Sequence, residues 1–272
     1  MRDYPLADTT LARRIERAGV DDLCAWVDDA RDIGVYPEAA SFRVAGGMAV
    51  WFSPGNVVNG SFGLGMDRPV EQEEVAAVIA FFAERGAPAK VDVCPHADAS
   101  LLRWLAEAGF VATDFETVLY QPLPVPDLPA PSAGVEVRVV TSAEERAVWG
   151  VLEARGFTED SPTEADFELA DAISKRSTAI PFIGYLDGEP VGTGMLNILD
   201  GAAMFNGDST LPAARGRGVQ SAILAERLRY AAAEGCDLGV IEAAAGGISQ
   251  RNQLRAGFRI AYTRVGMELP RR

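Results

Sequence analysis

The residues best placed to do chemistry stand together at Leu211-Pro212-Ala213-Ala214-Arg215-Gly216-Arg217-Gly218-Val219-Gln220-Ser221. This segment joins an apolar stretch ending at Thr210 to an amphipathic one whose buried side would carry Ile223, Leu224, Leu228 and Ala231. Glycines at a helix start let successive backbone N–H groups converge on one point, and the helix macrodipole adds positive potential there. Such a turn is an anion cradle. Arg215 and Arg217 add full charge in a chain with 25 Lys+Arg against 39 Asp+Glu, formal net charge −14, so a phosphate suits the turn better than a carboxylate. The plainer reading of the same residues is a tight turn with solvated arginines.

The elements that must position this turn follow from hydrophobic periodicity. The second half reads as a strand over 135–140 and a helix over 142–156, with Ser142 as N-cap and Glu145 closing a capping box. A helix over 163–174 comes next. Strands over 181–186 and 190–199 are joined by Asp187-Gly188, a hairpin signal. A strand over 202–211 leads into the turn, followed by a long helix from Val219, a strand over 238–243, a short helix from Ser249 and a last strand. Hairpins before a strand-helix-strand unit predict a mixed, largely antiparallel sheet flanked by helices, an α+β three-layer fold.

With the elements placed, Arg215-x-x-Gly218 after a strand ending in Leu211-Pro212 resembles the acyl-CoA pyrophosphate loop of the GNAT superfamily of N-acyltransferases. Ser249-Gln250-Arg251-Asn252, closing at Ala256-Gly257-Phe258, resembles that family's next signature, a helix whose asparagine faces the cofactor. The resemblance covers residues 135–269 and implies a splayed sheet in which pantetheine pairs with the strand ending at Thr210 and Leu211, like an added strand. It assigns acyl-CoA contacts to Thr210, Leu211, Arg215, Gly216, Arg217, Gly218, Val219, Gln220, Ser221 and Asn252. Two positions depart from the pattern: Gln220 replaces the loop's last small residue, and Gln253 stands where many members carry a tyrosine proposed to protonate the leaving thiolate.

Direct acyl transfer needs a base for the attacking ammonium and donors for the developing oxyanion, but no Ser or Cys nucleophile. Glu242, in the strand after the long helix, and Asp208, just before the loop, are the candidate bases, and Tyr262 is the candidate acid. The only histidine, His96, reads as part of a turn. Acceptor specificity is expected from residues 156–178, where Glu159, Asp160, Glu164 and Asp166 would attract an amine. The expected reaction is acetyl transfer from acetyl-CoA to an amine of a small molecule or peptide. The rivals are a non-catalytic CoA-binding or scaffolding protein and a dinucleotide-binding domain, the latter disfavoured because the loop follows hairpins instead of opening its half.

The first half repeats the second. A stretch from Glu71 ends at Ala83-Glu84-Arg85-Gly86, followed by Val91 and Val93, a helix ending Ala108-Gly109-Phe110, and alternating Phe115, Val118 and Leu119. In the second half Ala232-Ala233-Glu234-Gly235, Val240 and Ile241, and Ala256-Gly257-Phe258 follow in the same order. The places of residues 215–220 are taken here by Met66-Asp67-Arg68-Pro69-Val70-Glu71. Pro69 donates no amide, and Asp67 and Glu71 oppose an anion. The first half is therefore expected to hold no CoA and to serve in packing, in shaping the acceptor cleft, or in dimerisation.

Prolines 122, 124, 126, 129 and 131 mark residues 121–134 as a stiff linker between a degenerate GNAT-like domain at 1–120 and a catalytic one at 135–272. Cys24, Cys94 and Cys236 are unpaired in spacing, so buried thiols, no disulfide framework and no metal are expected. The acidic balance argues against nucleic acid. No apolar run suits a membrane span or signal peptide, which points to a cytoplasmic protein. Trp26, Trp51, Phe52, Trp104 and Trp149 read as core, and Asp21, Asp22, Asp28 and Asp29 as a solvated face.

Overall fold

The computed structural model describes residues 4–159 and 161–270. The first half runs α1 (Thr9–Asp32), β1 (Ala40–Val44), β2 (Gly47–Trp51), β3 (Gly60–Phe62), α2 (Gln72–Ala83), β4 (Lys90–Val93), α3 (Ala99–Ala108) and β5 (Val111–Pro122). The second runs β6 (Val135–Val139), α4 (Ala143–Phe157), α5 (Glu164–Ser174), β7 (Ala179–Leu186), β8 (Glu189–Leu199), β9 (Ala202–Thr210), α6 (Val219–Ala233), β10 (Leu238–Ala244), α7 (Ile248–Arg255) and β11 (Arg259–Glu268). Each half therefore carries a run of three consecutive strands, β1–β3 or β7–β9, and then helix, strand, helix, strand, and these last four elements are the order read from the glycines.

Local chemistry explains the element limits. Ser142 and Glu145 form the expected capping box on α4, and Thr163 and Asp166 form another on α5. Asp187 and Gly188, at φ 53° and 89°, make the turn joining β7 to β8, the left-handed pair that a two-residue hairpin requires.

The chain forms two compact units, Met1–Tyr120 with Glu242–Arg272, and Gln121–Ile241. In the first, β1, β2 and β3 form an antiparallel meander. There β11 lies between β4 and β5, antiparallel to both. This placement differs from the domain limits expected from sequence, since residues 242–272 do not continue the body of 135–241. Hydrophobic pattern identifies a terminal strand without naming its neighbours. Phe82, Val91, Leu101, Leu105 and Phe110 centre this unit's core. Trp26 and Phe52 are buried as expected, whereas Asp22 is buried with them instead of lying on a solvated face.

In the second unit the strands run β10-β9-β8-β7-β6, antiparallel except for the parallel β10–β9 pair over Leu238–Ile241. Helix α6 packs on a face made of glycines. A Cβ at Gly184 or Gly192 would come within 2.7 or 2.9 Å of Val219 Cγ1, so the helix approaches closer than any side chain permits. Trp149 is fully buried. The proline-rich segment is anchored at its start and does not hang as a tether: β5 continues to Pro122, Gln121, Leu123 and Val125 are buried, and the Leu123 amide donates to Asp237 O at 2.9 Å. No helix among the described residues is long and apolar enough to cross a membrane.

Candidate functional site

The turn from β9 to α6 has the geometry that its glycines demand. A 3-10 turn over Pro212–Ala214 precedes Gly216 at φ 74° and Gly218 at φ 86°, both left-handed. Gly218 is the N-cap of α6, and among the described residues no side chain caps this helix, so the first-turn amides of Val219, Gln220 and Ser221 remain available to an outside acceptor. A Cβ at Gly218 would lie 2.5 Å from Ser132 Oγ, while nothing stands within 4 Å of one at Gly216. The site thus pairs a crowded, fixed glycine with an open one.

The two arginines differ. Arg215 is bound into the scaffold: Nε donates to Thr210 O at 3.1 Å, Nη2 to Gly156 O at 3.1 Å, and Nη1 meets both Glu159 oxygens at 2.8 and 2.7 Å. Arg217 is exposed, with a long approach of 4.0 Å to Asp187 as its one ion pair among the described residues, and is the freer charge for a phosphate. Glu159, expected to attract an amine, faces Arg215 instead. Asp160, its companion in that expectation, lies outside the described residues.

On the strand side, β10 pairs with β9 over Ala202–Phe205, and beyond that point β8 is the one strand partner of β9 among the described residues. The buried Thr210 Oγ1 has no hydrogen-bond partner among the described residues. An uncapped helix start, a strand edge paired on one side and an orphaned hydroxyl at its end fit an extended, phosphate-bearing ligand.

Each of the three catalytic candidates is already engaged by another side chain. Asp208 is ion-paired with the buried Arg227, and burial pushes its carboxyl up while that guanidinium pulls it down. Glu242 and Tyr262 belong to the first unit. There Arg264 Nη1 donates to Glu242, while Arg264 Nε and the Tyr262 hydroxyl share Glu16 Oε1 at 2.8 and 2.7 Å. Burial and the Glu16 charge hold the Tyr262 phenol far above its ordinary value, and its hydroxyl donates to a buried carboxylate. Burial also drives Asp92, near Arg264, up to about 6 and raises Glu116. On α7, Asn252 accepts from Arg255 at 3.2 Å. Gln253, at the absent tyrosine's place, is buried with Oε1 unpartnered among the described residues. His96 stands in the turn before α3 and meets Thr9 Oγ1 at 3.2 Å.

Sequence reading missed Glu153. It is buried in α4, accepts from the Thr193 hydroxyl at 2.5 Å, and Thr193 and Ser209 hydroxyls meet at 2.7 Å. Burial pushes the Glu153 carboxyl up to about 7. Glu153 lies one turn after Trp149 on the same helix face, the only sequence signal it leaves.

The first half lacks the open helix start. Glu71 and Glu74 close a capping box on α2, Arg68 binds Glu74 through both terminal nitrogens at 2.9 and 2.6 Å, and this pairing brings Glu74 down to about 2. Two carboxylates occupy the place of an anion. Among the described residues no group of acids, histidines or cysteines is arranged to hold a metal.

Residues 148–249 match the model of the acetyltransferase (GNAT) family. No curated protein sequence matches the chain. Among solved structures, a GCN5-related N-acetyltransferase from Kribbella flavida superposes with TM-score 0.65 at 20% identity over 91% of this chain and 96% of its own. A functionally unknown conserved protein from Staphylococcus epidermidis gives 0.58 at 13%, over 88% and 96%. A tandem GNAT protein from the clavulanic acid biosynthesis pathway gives 0.57 at 15%, over 82% and 74%. These likenesses show the fold, and the stretch that matches the family model, 148–249, contains β9, the glycine turn and α6.

Proposed function

We propose that the protein is an acyl-CoA-dependent N-acyltransferase that moves an acetyl group from acetyl-CoA to an amine of a small molecule or peptide by direct attack. The observation that carries this reading is the uncapped start of α6 behind Gly216 and Gly218. Amides of residues 219–221 bind the diphosphate, Arg217 adds charge, and the 206–210 stretch of β9 receives the pantetheine arm as a neighbouring strand. The thioester brings an activated carbonyl and a thiolate of ordinary pKa near ~8.5, a fair leaving group without a dedicated acid. Because guanidinium groups engage Asp208 and Glu242, the proton of the attacking amine is assigned to water.

That same engagement favours a second reading, a CoA-binding protein without turnover. Calorimetry with acetyl-CoA and thiol release over a panel of amines separate the two. Binding with thiol release for at least one amine supports the enzyme, binding without release over the whole panel supports the second reading, and no binding overturns both.

A further inference from the structure

Strand β9 breaks its ladder at one place. Thr193 of β8 pairs with Ser209 and Met195 with Asn206, so Gly194 alone stands opposite Gly207 and Asp208, and Gly207 has φ 60°. This is a β-bulge with its glycine left-handed. Such a bulge leaves ladder carbonyls without strand partners and re-aims the backbone beside it.

The bulge is held from both faces. From α6, Arg227 Nη1 donates to Met195 O at 2.8 Å and Asn206 O at 3.1 Å, and Nη2 pairs with Asp208. Its side chain is 0% exposed. A Cβ at Gly194 would lie 2.8 Å from the Arg227 Cζ, so that glycine makes room for the guanidinium. From α4, Trp149 Nε1 donates to Gly194 O at 3.2 Å, and its ring lies 2.9 Å from where a Cβ of Gly207 would be. Burying a guanidinium is costly, and well-packed apolar residues often stabilise as well or better. Stability alone therefore gives poor reason for Arg227, whereas a fixed backbone at residues 206–208 gives a good one.

We infer that Arg227, held by the Asp208 carboxylate, is a positioning residue for acyl transfer: its side chain fixes the β9 bulge, and through it the backbone groups that face the acyl carbonyl, without itself touching cofactor or acceptor. This rests on the function proposed above, in which the acyl arm extends from the glycine turn back along β9 to the bulge.

The test uses the full chain with Arg227→Met, Arg227→Lys and Asp208→Asn. For Arg227→Met we expect acetyl-CoA Kd within about threefold of the parent and kcat lowered by roughly thirtyfold or more at little changed KM, with Arg227→Lys intermediate. Hydrogen exchange of amides 206–209 should quicken by about tenfold or more relative to β7, a readout independent of turnover. Unchanged kcat in a folded variant, or Kd and kcat weakening in parallel, overturns the inference. If Arg227→Met does not fold, Asp208→Asn and Arg227→Lys carry the same comparison. Failure of the parent to bind acetyl-CoA sinks the functional reading, and unaltered exchange at 206–209 sinks the clamp.

Discussion

Arg215 Nη1 stands 2.8 and 2.7 Å from the two oxygens of Glu159, so the first arginine of the glycine turn is neutralised by a carboxylate from the segment that follows α4. Two carbonyls, of Thr210 and Gly156, hold the rest of the guanidinium. Arg215 thus fixes the turn to its own unit and spends little of its charge outward. With side chains 44% and 69% exposed, the pair itself adds little stability.

From this follows an unequal pair of variants. Glu159→Gln frees positive charge while the two carbonyls keep Arg215 in place, so acetyl-CoA binding tightens by roughly two- to fivefold at low salt, and the gain fades as salt rises. Arg215→Ala removes the tie to Thr210 and Gly156 and weakens binding by about tenfold or more. Calorimetry at two ionic strengths checks both, and weaker binding by Glu159→Gln would show that the carboxylate positions the ligand instead of competing with it.

Gly218 is constrained twice, by φ 86° and by Ser132 Oγ at 2.5 Å from any added Cβ. Gly218→Ala should cost about 1–2 kcal/mol in local strain and lower acetyl-CoA affinity at least tenfold. Removing the crowding with Ser132→Gly in the same chain should recover part of the loss but not all, because the dihedral penalty remains. Full recovery would assign the whole effect to Ser132.

Binding stoichiometry should be one acetyl-CoA per chain. On α2, Glu71 and Glu74 occupy the helix start that α6 leaves open, and Arg68 holds Glu74 there. Glu71→Ser with Glu74→Gln removes that charge yet leaves Pro69 without an amide, so no second site should appear. Two equivalents bound to the native chain would contradict this account of the first half.

Stability of the second unit should decline as pH rises. Glu153 keeps its proton up to about 7 in the folded chain, against an ordinary 4.5, because burial disfavours the charged form. A carboxyl raised on folding contributes most below its unfolded value and loses that contribution as pH climbs through the folded one, here between about 4.5 and 7. The change is at most roughly 3 kcal/mol. Urea unfolding from pH 5 to 8, followed by hydrogen exchange in β8 and β9, should show it, with Glu153→Gln nearly flat. An unchanged slope in that variant would place the titration elsewhere.

Much of the fold was legible because its signals are local. Ser142 with Glu145, Asp187-Gly188 and the stripe of Ile223, Leu228 and Ala231 each act within a few residues. The glycine turn was legible for the same reason. Arg227 lies four residues after Ile223 and four before Ala231, on the buried stripe, yet the carbonyls that receive it come from a bulge that no local pattern announces. The placement of β11 between β4 and β5 is likewise a choice among partners that alternation alone leaves open. Glu242 and Tyr262 looked free in sequence because Glu16, over two hundred residues earlier, is what binds Tyr262 and shares Arg264 with Glu242.

That buried cluster supplies the last prediction. Arg264 is 6% exposed and is the cation facing Glu16, Glu116 and Glu242 at 2.8, 3.7 and 2.5 Å, with Asp92 also in its field. Replacing it by methionine keeps the volume but leaves those carboxylates without their counter-ion, which should destabilise the first unit by about 3–5 kcal/mol. The loss should deepen as pH rises, since protonated acids tolerate burial and charged ones do not. Adding Glu16→Gln should return part of the stability by removing the most buried of the charges. Denaturation at pH 5 and pH 8 measures all of this, and a loss below about 1 kcal/mol at both values would show that the carboxylates relax into water without Arg264.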